Sequence, residues 1–366
     1  MTPAPPADPP VSAPRLSRRR LDWRAVLGMA LSVGFLWLAL RGVSFRTVAQ
    51  HIAAADPWLF LAAVVVTTFT FWIRAWRWRS LIRPVHPDTA FRNRFPAVVI
   101  GYMAINLLPA RAGELVRAYV LSRREPVPLV TALGSLVVEH LVDGLMLVAL
   151  TFVTLALPTF PAHNRGSEQL QHLAGVLAFV FGGGAVVCLA LVFWPRPVVA
   201  AVEWLAARVL PAALRRPLVG ALESLLAALA AIRQPLLLLR VLLWSVALWL
   251  VGALSYWLGM LAFGIHLPYL AAIFLQSVVA FAVAIPSSPG FLGVFEAGAR
   301  FGLVQVWGVN ATRAVSYAIA FHIGGYIPVT LMGLFYVWRL GMTWKEVGRR
   351  EPAGGDPAEG EKAPAD

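Results

Sequence analysis

Two short stretches, Asn106-Leu-Leu-Pro-Ala-Arg-Ala-Gly-Glu114 and Ile285-Pro-Ser-Ser-Pro-Gly-Phe-Leu-Gly-Val-Phe-Glu296, interrupt long apolar runs with proline, glycine and carboxylates. The runs around them are long enough to place both breaks at bilayer depth. An unpaired backbone N–H or C=O in hydrocarbon costs several kcal/mol, so irregular backbone survives there only when protein or a water-filled cavity receives it. The breaks therefore predict a polar site inside a membrane.

The rest of the chain fits that setting. Of 366 residues, 59% are hydrophobic and only 13% charged, and the mean hydropathy of +0.72 lies outside the range of soluble domains. Apolar runs at roughly 24–42, 57–79, 128–157, 172–194, 240–263 and 312–338 predict six full crossings of about 30 Å of hydrocarbon. Residues 97–108 lead into the first break, where Pro109 to Gly113 turns the chain back toward Arg123 and Arg124, and residues 270–285 and 291–306 flank the second. Each limb is too short to cross, so each break is expected to be a re-entrant helical hairpin. The predicted fold class is an all-α polytopic membrane protein with six transmembrane helices and two re-entrant hairpins in an inverted repeat. The halves are 22–158 and 172–340, within one domain at 22–345. The turns share Pro-x-x-x-Gly spacing, Pro109/Gly113 and Pro286/Gly290, and paired broken helices of this kind build midplane sites in transporters.

The net charge of +13 raises nucleic acid as a partner, but the basic residues cluster at alternate ends of the apolar runs. Assigning those clusters to the cytoplasm leaves only Arg41, Arg46, Arg165 and Arg313 outside. The positive-inside rule then predicts an inner-membrane protein with cytoplasmic termini and no nucleic-acid partner. Residues 1–21 and 346–366, rich in Pro, Gly, Ala and charge, read as disordered tails. Residues 195–239 read as amphipathic helices on the inner leaflet or as a connector packed on the bundle. The single cysteine, Cys188, excludes an intrachain disulfide.

Four acids fall at predicted membrane depth. Glu139 and Asp143 stack on one helical face, and Glu114 and Glu296 lie in the hairpins. A charge at the centre costs about 3 kcal/mol on insertion scales, so these acids demand pairing, protonation or a wet cavity. The plainer reading is that they neutralise Arg111, Arg117 and Arg300. The functional reading is that acids and arginines line a path for a charged headgroup, with Arg111 and Arg117 on its phosphate. Asn106, Ser287, Ser288 and His322 complete the predicted headgroup contacts. Arg74-Ala-Trp-Arg-Trp-Arg79 places Arg74, Trp76, Arg77 and Trp78 at the expected headgroup level, as interfacial lipid contacts.

Catalytic signatures are missing: the chain has no His-Glu-x-x-His, no paired cysteine ligands, no Gly-x-Ser-x-Gly and no Gly-x-x-x-x-Gly-Lys. It is expected not to be an enzyme and to hold neither metal nor cofactor. Its expected partners are membrane lipids, with a second copy of the chain or an enzyme of lipid synthesis left open.

Gly101 to Tyr119, the Glu139/Asp143 pair, Pro286 to Glu296 and His322 to Pro328 together resemble the lysylphosphatidylglycerol synthase transmembrane region, also called the flippase-like domain family. The resemblance covers roughly residues 22–345. It implies movement of lipids, such as aminoacylated phosphatidylglycerol or polyprenyl-linked glycolipids, between leaflets. Two positions depart from the family pattern: His140 stands where an arginine often precedes the Asp of the motif, and Phe291 where many members continue with a second glycine. Only an acidic tail follows the last span, so lipid aminoacylation by this polypeptide is not expected. The alternatives to a lipid translocase are a membrane-embedded enzyme or subunit of hopanoid, polyprenyl or aminoacyl-lipid synthesis, and a noncatalytic scaffold.

Overall fold

The computed structural model describes residues 23–84, 86, 88–108, 112–161, 179, 183, 186, 194–209, 234–285 and 287–343. Among them every regular element is helical. The order is α1 (Trp23–Leu40), α2 (Phe45–Ala53), α3 (Pro57–Ile82), α4 (Phe91–Leu107), α5 (Gly113–Arg124), α6 (Leu129–Ala156) and α7 (Pro195–Val209). It continues with α8 (Pro235–Ala262), α9 (Tyr269–Ala284), a 3₁₀ turn (Pro289–Phe291), α10 (Val294–Arg300) running into a π-helical segment (Phe301–Val306), and α11 (Ala311–Arg339).

Four helices among the described residues, α3, α6, α8 and α11, are long and apolar enough to cross a membrane. The expected first span corresponds to α1, which meets the test together with α2 as a pair bent by 78°. The expected span at 172–194 falls almost wholly outside the described residues, as do both tails and residues 210–233 of the expected connector. Starts of the long helices are set locally. Pro57 pre-sets the backbone of α3 while the Asp56 carboxylate accepts from the N–H groups of Trp58 (2.9 Å) and Leu59 (3.0 Å). The Asn310 side chain does the same for Thr312 and Arg313 at the start of α11.

The short helices sit as packed pairs. α4 has 17 residues and α5 has 12, roughly 26 and 18 Å at about 1.5 Å per residue. They lie against each other because Gly101 and Gly113 lack side chains: a Cβ on Gly113 would overlap the Gly101 carbonyl oxygen. α9 and α10 form the second pair. α4 starts at Phe91, earlier than the expected limb, because buried Arg94 ties it down. The Arg94 guanidinium donates to the carbonyls of Ala75 (3.1 Å) and Thr89 and to the Thr89 hydroxyl (2.8 Å).

The order long, short, short, long therefore occurs twice, as α3 to α6 and as α8 to α11, with lengths of 26, 17, 12 and 28 residues against 28, 16, 7 and 29 before the π segment is added. Two main apolar clusters, each drawing on helices of both halves, form the core. Phe71, Trp78, Phe95, Met103, Leu121 and Leu136 centre the first; Met260, Leu275, Leu303, Tyr317 and Phe321 centre the second. α3 packs along α8 and α4 along α11, joining the halves.

Candidate functional site

Three arginines and two acids gather where α3, α5 and α6 meet. Arg117 makes a two-pronged bond to Glu139, 3.0 Å from each carboxylate oxygen. Arg77 grips Asp143 in the same way, at 2.5 and 2.8 Å, and stands 3.0 Å from Glu139 Oε1. Ser245 and Trp249 of α8 add neutral contacts: Ser245 Oγ accepts from Arg77 at 3.2 Å, and the Trp249 indole donates to Asp143 at 3.1 Å. The Arg117 guanidinium also lies 4.1 Å from the centre of the Trp78 ring. Arg77, Arg117 and Glu139 are buried. Bidentate geometry and neutral hydrogen-bond partners help such charges leave water.

The third arginine is differently placed. Arg74 approaches Glu139 only to 4.0 Å, its side chain keeps 20% of its exposure, and its guanidinium rides 5.1 Å from the Tyr102 ring centre. With the two acids already held by Arg77 and Arg117, the cluster carries one excess positive charge, and Arg74 presents it.

Arg74 faces a cavity of about 290 Å3 between the two halves. Arg74, Tyr102 and Asn106 line one side; Trp249, Tyr256, Phe295, Phe321 and Tyr326 give the other an aromatic wall. Among the described residues no carboxylate lines it. Two polar atoms in its lining, Thr67 Oγ1 and Gln276 Oε1, are buried without a hydrogen-bond partner. Buried unpaired polar atoms are costly, so such atoms on residues of the cavity wall are suited to pair with a ligand or water.

The second break closes one end of the cavity. Glu296 Oε2 accepts from the N–H of Gly293 at 2.6 Å, and Glu296 Oε1 lies 2.7 Å from His322 Nδ1, which stacks on Phe295 at 4.2 Å. Gly290 adopts φ +70° and Phe291 adopts φ +59°. A side chain in this left-handed region costs about 1–2 kcal/mol, and Phe291 spends it on lining the cavity. The turn rests on the first break: the Tyr326 hydroxyl donates to the Asn106 carbonyl at 3.2 Å, and a Cβ on Gly290 would come within 3.4 Å of that oxygen.

The predicted residues thus separate into groups. Arg117, Glu139 and Asp143 form the ion cluster. Asn106 and His322 line the cavity, with Asn106 Nδ2 donating to Thr330 at 2.9 Å, and Glu296 sits just behind. Glu114 lies apart, its carboxylate 3.0 Å from His140 Nε2 on a more exposed surface. Ser287 and Ser288 turn toward α1, where the Ser288 N–H donates to Ser32 Oγ at 2.8 Å. Arg300 does not pair with the acids it was expected to neutralise; it donates to the carbonyls of Leu38 and Ala39 in the last turn of α1 and of Arg41 just past it. Arg111, Pro109 and Pro286 lie outside the described residues.

The interfacial assignment needs correction. Arg77 and Trp78 are fully buried, because Glu139, Asp143 and Ser135, whose hydroxyl accepts from the Trp78 indole at 2.9 Å, draw that face of α3 inward. Arg74 points to the cavity, and Trp76 alone of the four keeps substantial exposure, between Phe91 and Trp244. Sequence reasoning missed Thr67, Tyr102, Trp249 and Gln276. A signal was available for Gln276, the one amide in the otherwise apolar run of α9.

Comparison with known proteins agrees with this architecture. An archaeal protein named Glycosyltransferase AglD, from Haloferax volcanii, is 31% identical over 173 residues, 47% of this chain and 26% of the relative. A UPF0104 membrane protein of Methanocaldococcus jannaschii is 23% identical over 166 residues, 45% of this chain and 48% of the relative. Another, from Methanothermobacter thermautotrophicus, is 29% identical over 103 residues, 28% of this chain and 30% of the relative. The chain spans less than half the length of each. The expectation of a non-enzymatic chain does not stand beside a relative that carries an enzyme's name. The Lysylphosphatidylglycerol synthase TM region family matches residues 25–333, and with its apolar helices the chain belongs to that family of lipid-related, multi-pass membrane proteins.

Proposed function

We propose that the chain binds the anionic headgroup of a membrane lipid in the cavity between its halves and carries it between leaflets. The observation that carries this reading is Arg74: one guanidinium beyond what the two acids neutralise, on the wall of a cavity without a lining carboxylate. A phosphate there would complete the ion cluster, and Thr67 and Gln276 would pair with headgroup polar groups. The aromatic wall would take an apolar or sugar face. Both short-helix pairs act as re-entrant hairpins in this reading, entering from opposite faces as an inverted repeat. The basic ends face the cytoplasm in the inner membrane. Arg111 belongs to the same path by its place in the first break.

A second reading follows from the name of the Haloferax relative: the same cavity would hold a lipid-linked substrate for chemistry. Both are tested in proteoliposomes with fluorescent phosphatidylglycerol and polyprenyl phosphate probes. The translocase reading expects the intact protein to flip at least one probe, and Arg74→Gln to slow that flip tenfold or more while keeping its unfolding midpoint. Equal rates for the intact protein, Arg74→Gln and empty vesicles would sink it. New lipid products in the mass spectrum, formed by the intact protein and not by Arg74→Gln, would favour the enzymatic reading.

A further inference from the structure

A second groove, of about 660 Å3, opens where α4 begins and α5 and α11 end. Arg92, Arg123, Arg124 and Arg339 surround it, Phe95 and Tyr336 form its floor, and among the described residues no acid lines it. The floor is rigid: Phe95 meets Tyr336 edge-on at 5.9 Å and stacks with Phe91 at 5.7 Å.

The surroundings show how this chain treats arginine and acid where both are structural. Arg94, between the groove arginine Arg92 and the floor residue Phe95, is buried and consumed by the bonds to Ala75 and Thr89 described above. Glu125, next in sequence to Arg124, is spent elsewhere: its Oε1 accepts from the Ala90 N–H at 2.8 Å and the Asn93 amide at 2.7 Å. The nearest acid in sequence thus fixes the start of α4 rather than the groove wall. Arginines lining a groove where no described residue supplies a carboxylate suit a phosphate, which a guanidinium can bind in two-pronged fashion.

The groove is also continuous with an apolar surface. On α11, Phe335 and Trp338 are 48% and 77% exposed, and their rings lie 6.1 Å apart beside Tyr336. A ligand with phosphate at one end and hydrocarbon at the other matches that sequence of surfaces. Basic pockets between helices at the headgroup level recognise anionic lipids by this combination.

We infer that this groove is a binding site for the phosphate of an anionic membrane lipid, whose chain lies along Phe335 and Trp338. It shares no lining residue with the cavity between the halves, and its occupancy does not depend on transport through that cavity. The headgroup-level role predicted for Arg74 and Arg77 thereby passes to arginines of α4, α5 and α11.

The test measures binding of short-chain phosphatidylglycerol to the full chain in neutral detergent, with phosphatidylcholine as the control. An interfacial arginine contributes about fivefold in affinity, so Arg124→Gln with Arg339→Gln is expected to weaken binding about 25-fold, and the lysine pair at the same positions to keep most of it. Binding by the intact protein should weaken with added salt. Trp338→Ala should reduce lipid binding while leaving inorganic pyrophosphate binding unchanged. Equal lipid affinity for the intact protein and the double glutamine variant would overturn the inference. So would pyrophosphate displacing the lipid at equal concentration with Trp338→Ala silent, since that marks a soluble-anion site. Should the glutamine pair fail to fold, salt-independent binding by the intact protein overturns it equally.

Discussion

Helices α5 and α6 of the first half and α10 and α11 of the second register with one another. The shift that carries Glu114 to Glu296 also carries His140 to His322, and both Glu–His pairs form, at 3.0 and 2.7 Å. The same shift carries Arg117 to Ala299, Glu139 to Phe321 and Asp143 to Gly325. One half therefore fills its centre with an ion cluster and the other with aromatic rings and small residues, on the same sequence of helices. The Glu–His pair that the two halves share is itself unequal: Glu296 and His322 side chains keep 5% and 11% exposure, against 35% and 51% for Glu114 and His140. Helices in the same order can thus hold a polar wall in one set and an apolar wall in the other.

That contrast can be broken most directly at Glu139. Glu139→Gln leaves Arg77 and Arg117 short of a counter-charge in the interior and should cost about 3–5 kcal/mol, read from the chemical unfolding midpoint in micelles. Replacing Glu139 and Arg117 together by Leu and Met should recover most of that loss, because an apolar pair carries no desolvation cost. At the corresponding second-half position, Phe321→Ala should cost about 3 kcal/mol through the void it leaves, and unlike the Glu139 variant it should gain nothing from removing a charge nearby. A smaller loss at Glu139 than at Phe321 would invert the comparison.

The shared pair sharpens it further. Glu296→Gln weakens the contacts to His322 and the Gly293 N–H in a buried setting and should cost about 2 kcal/mol. Gly290→Ala adds a Cβ at φ +70°, 2.7 Å from a Tyr326 ring carbon, and should cost about 1–2 kcal/mol. Glu114→Gln, in the exposed pair, should cost no more than about 0.5 kcal/mol. Equal losses for Glu114→Gln and Glu296→Gln would show that the two halves bury their pairs alike in the membrane, against the present packing.

Much of the frame was legible in one dimension. Hydropathy located the helices that became α3, α6, α8 and α11, since burial in hydrocarbon and helix length are properties of a local run. The breaks stood out because proline and glycine act on their own backbone, and the Asp143/Glu139 face followed from the helical period. The positive φ at Phe291 was not read from the sequence and emerged only in the structure. The fates of the arginines were less accessible. Arg74, Arg77, Arg94, Arg117, Arg124 and Arg300 look alike in sequence, yet one faces a cavity, two are locked onto acids, two cap carbonyls and one borders a groove.

The sequence by itself determined the membrane class, the four long apolar helices and the two interruptions, because each depends on residues adjacent along the chain. Only the tertiary structure decided which charges neutralise one another and which remain to meet a ligand. The reason is geometric: successive helix residues point about 100° apart, so whether Arg74 or Arg77 reaches Asp143 depends on how α3 is rotated against α6 and α8. That rotation is set by packing between segments far apart in the chain.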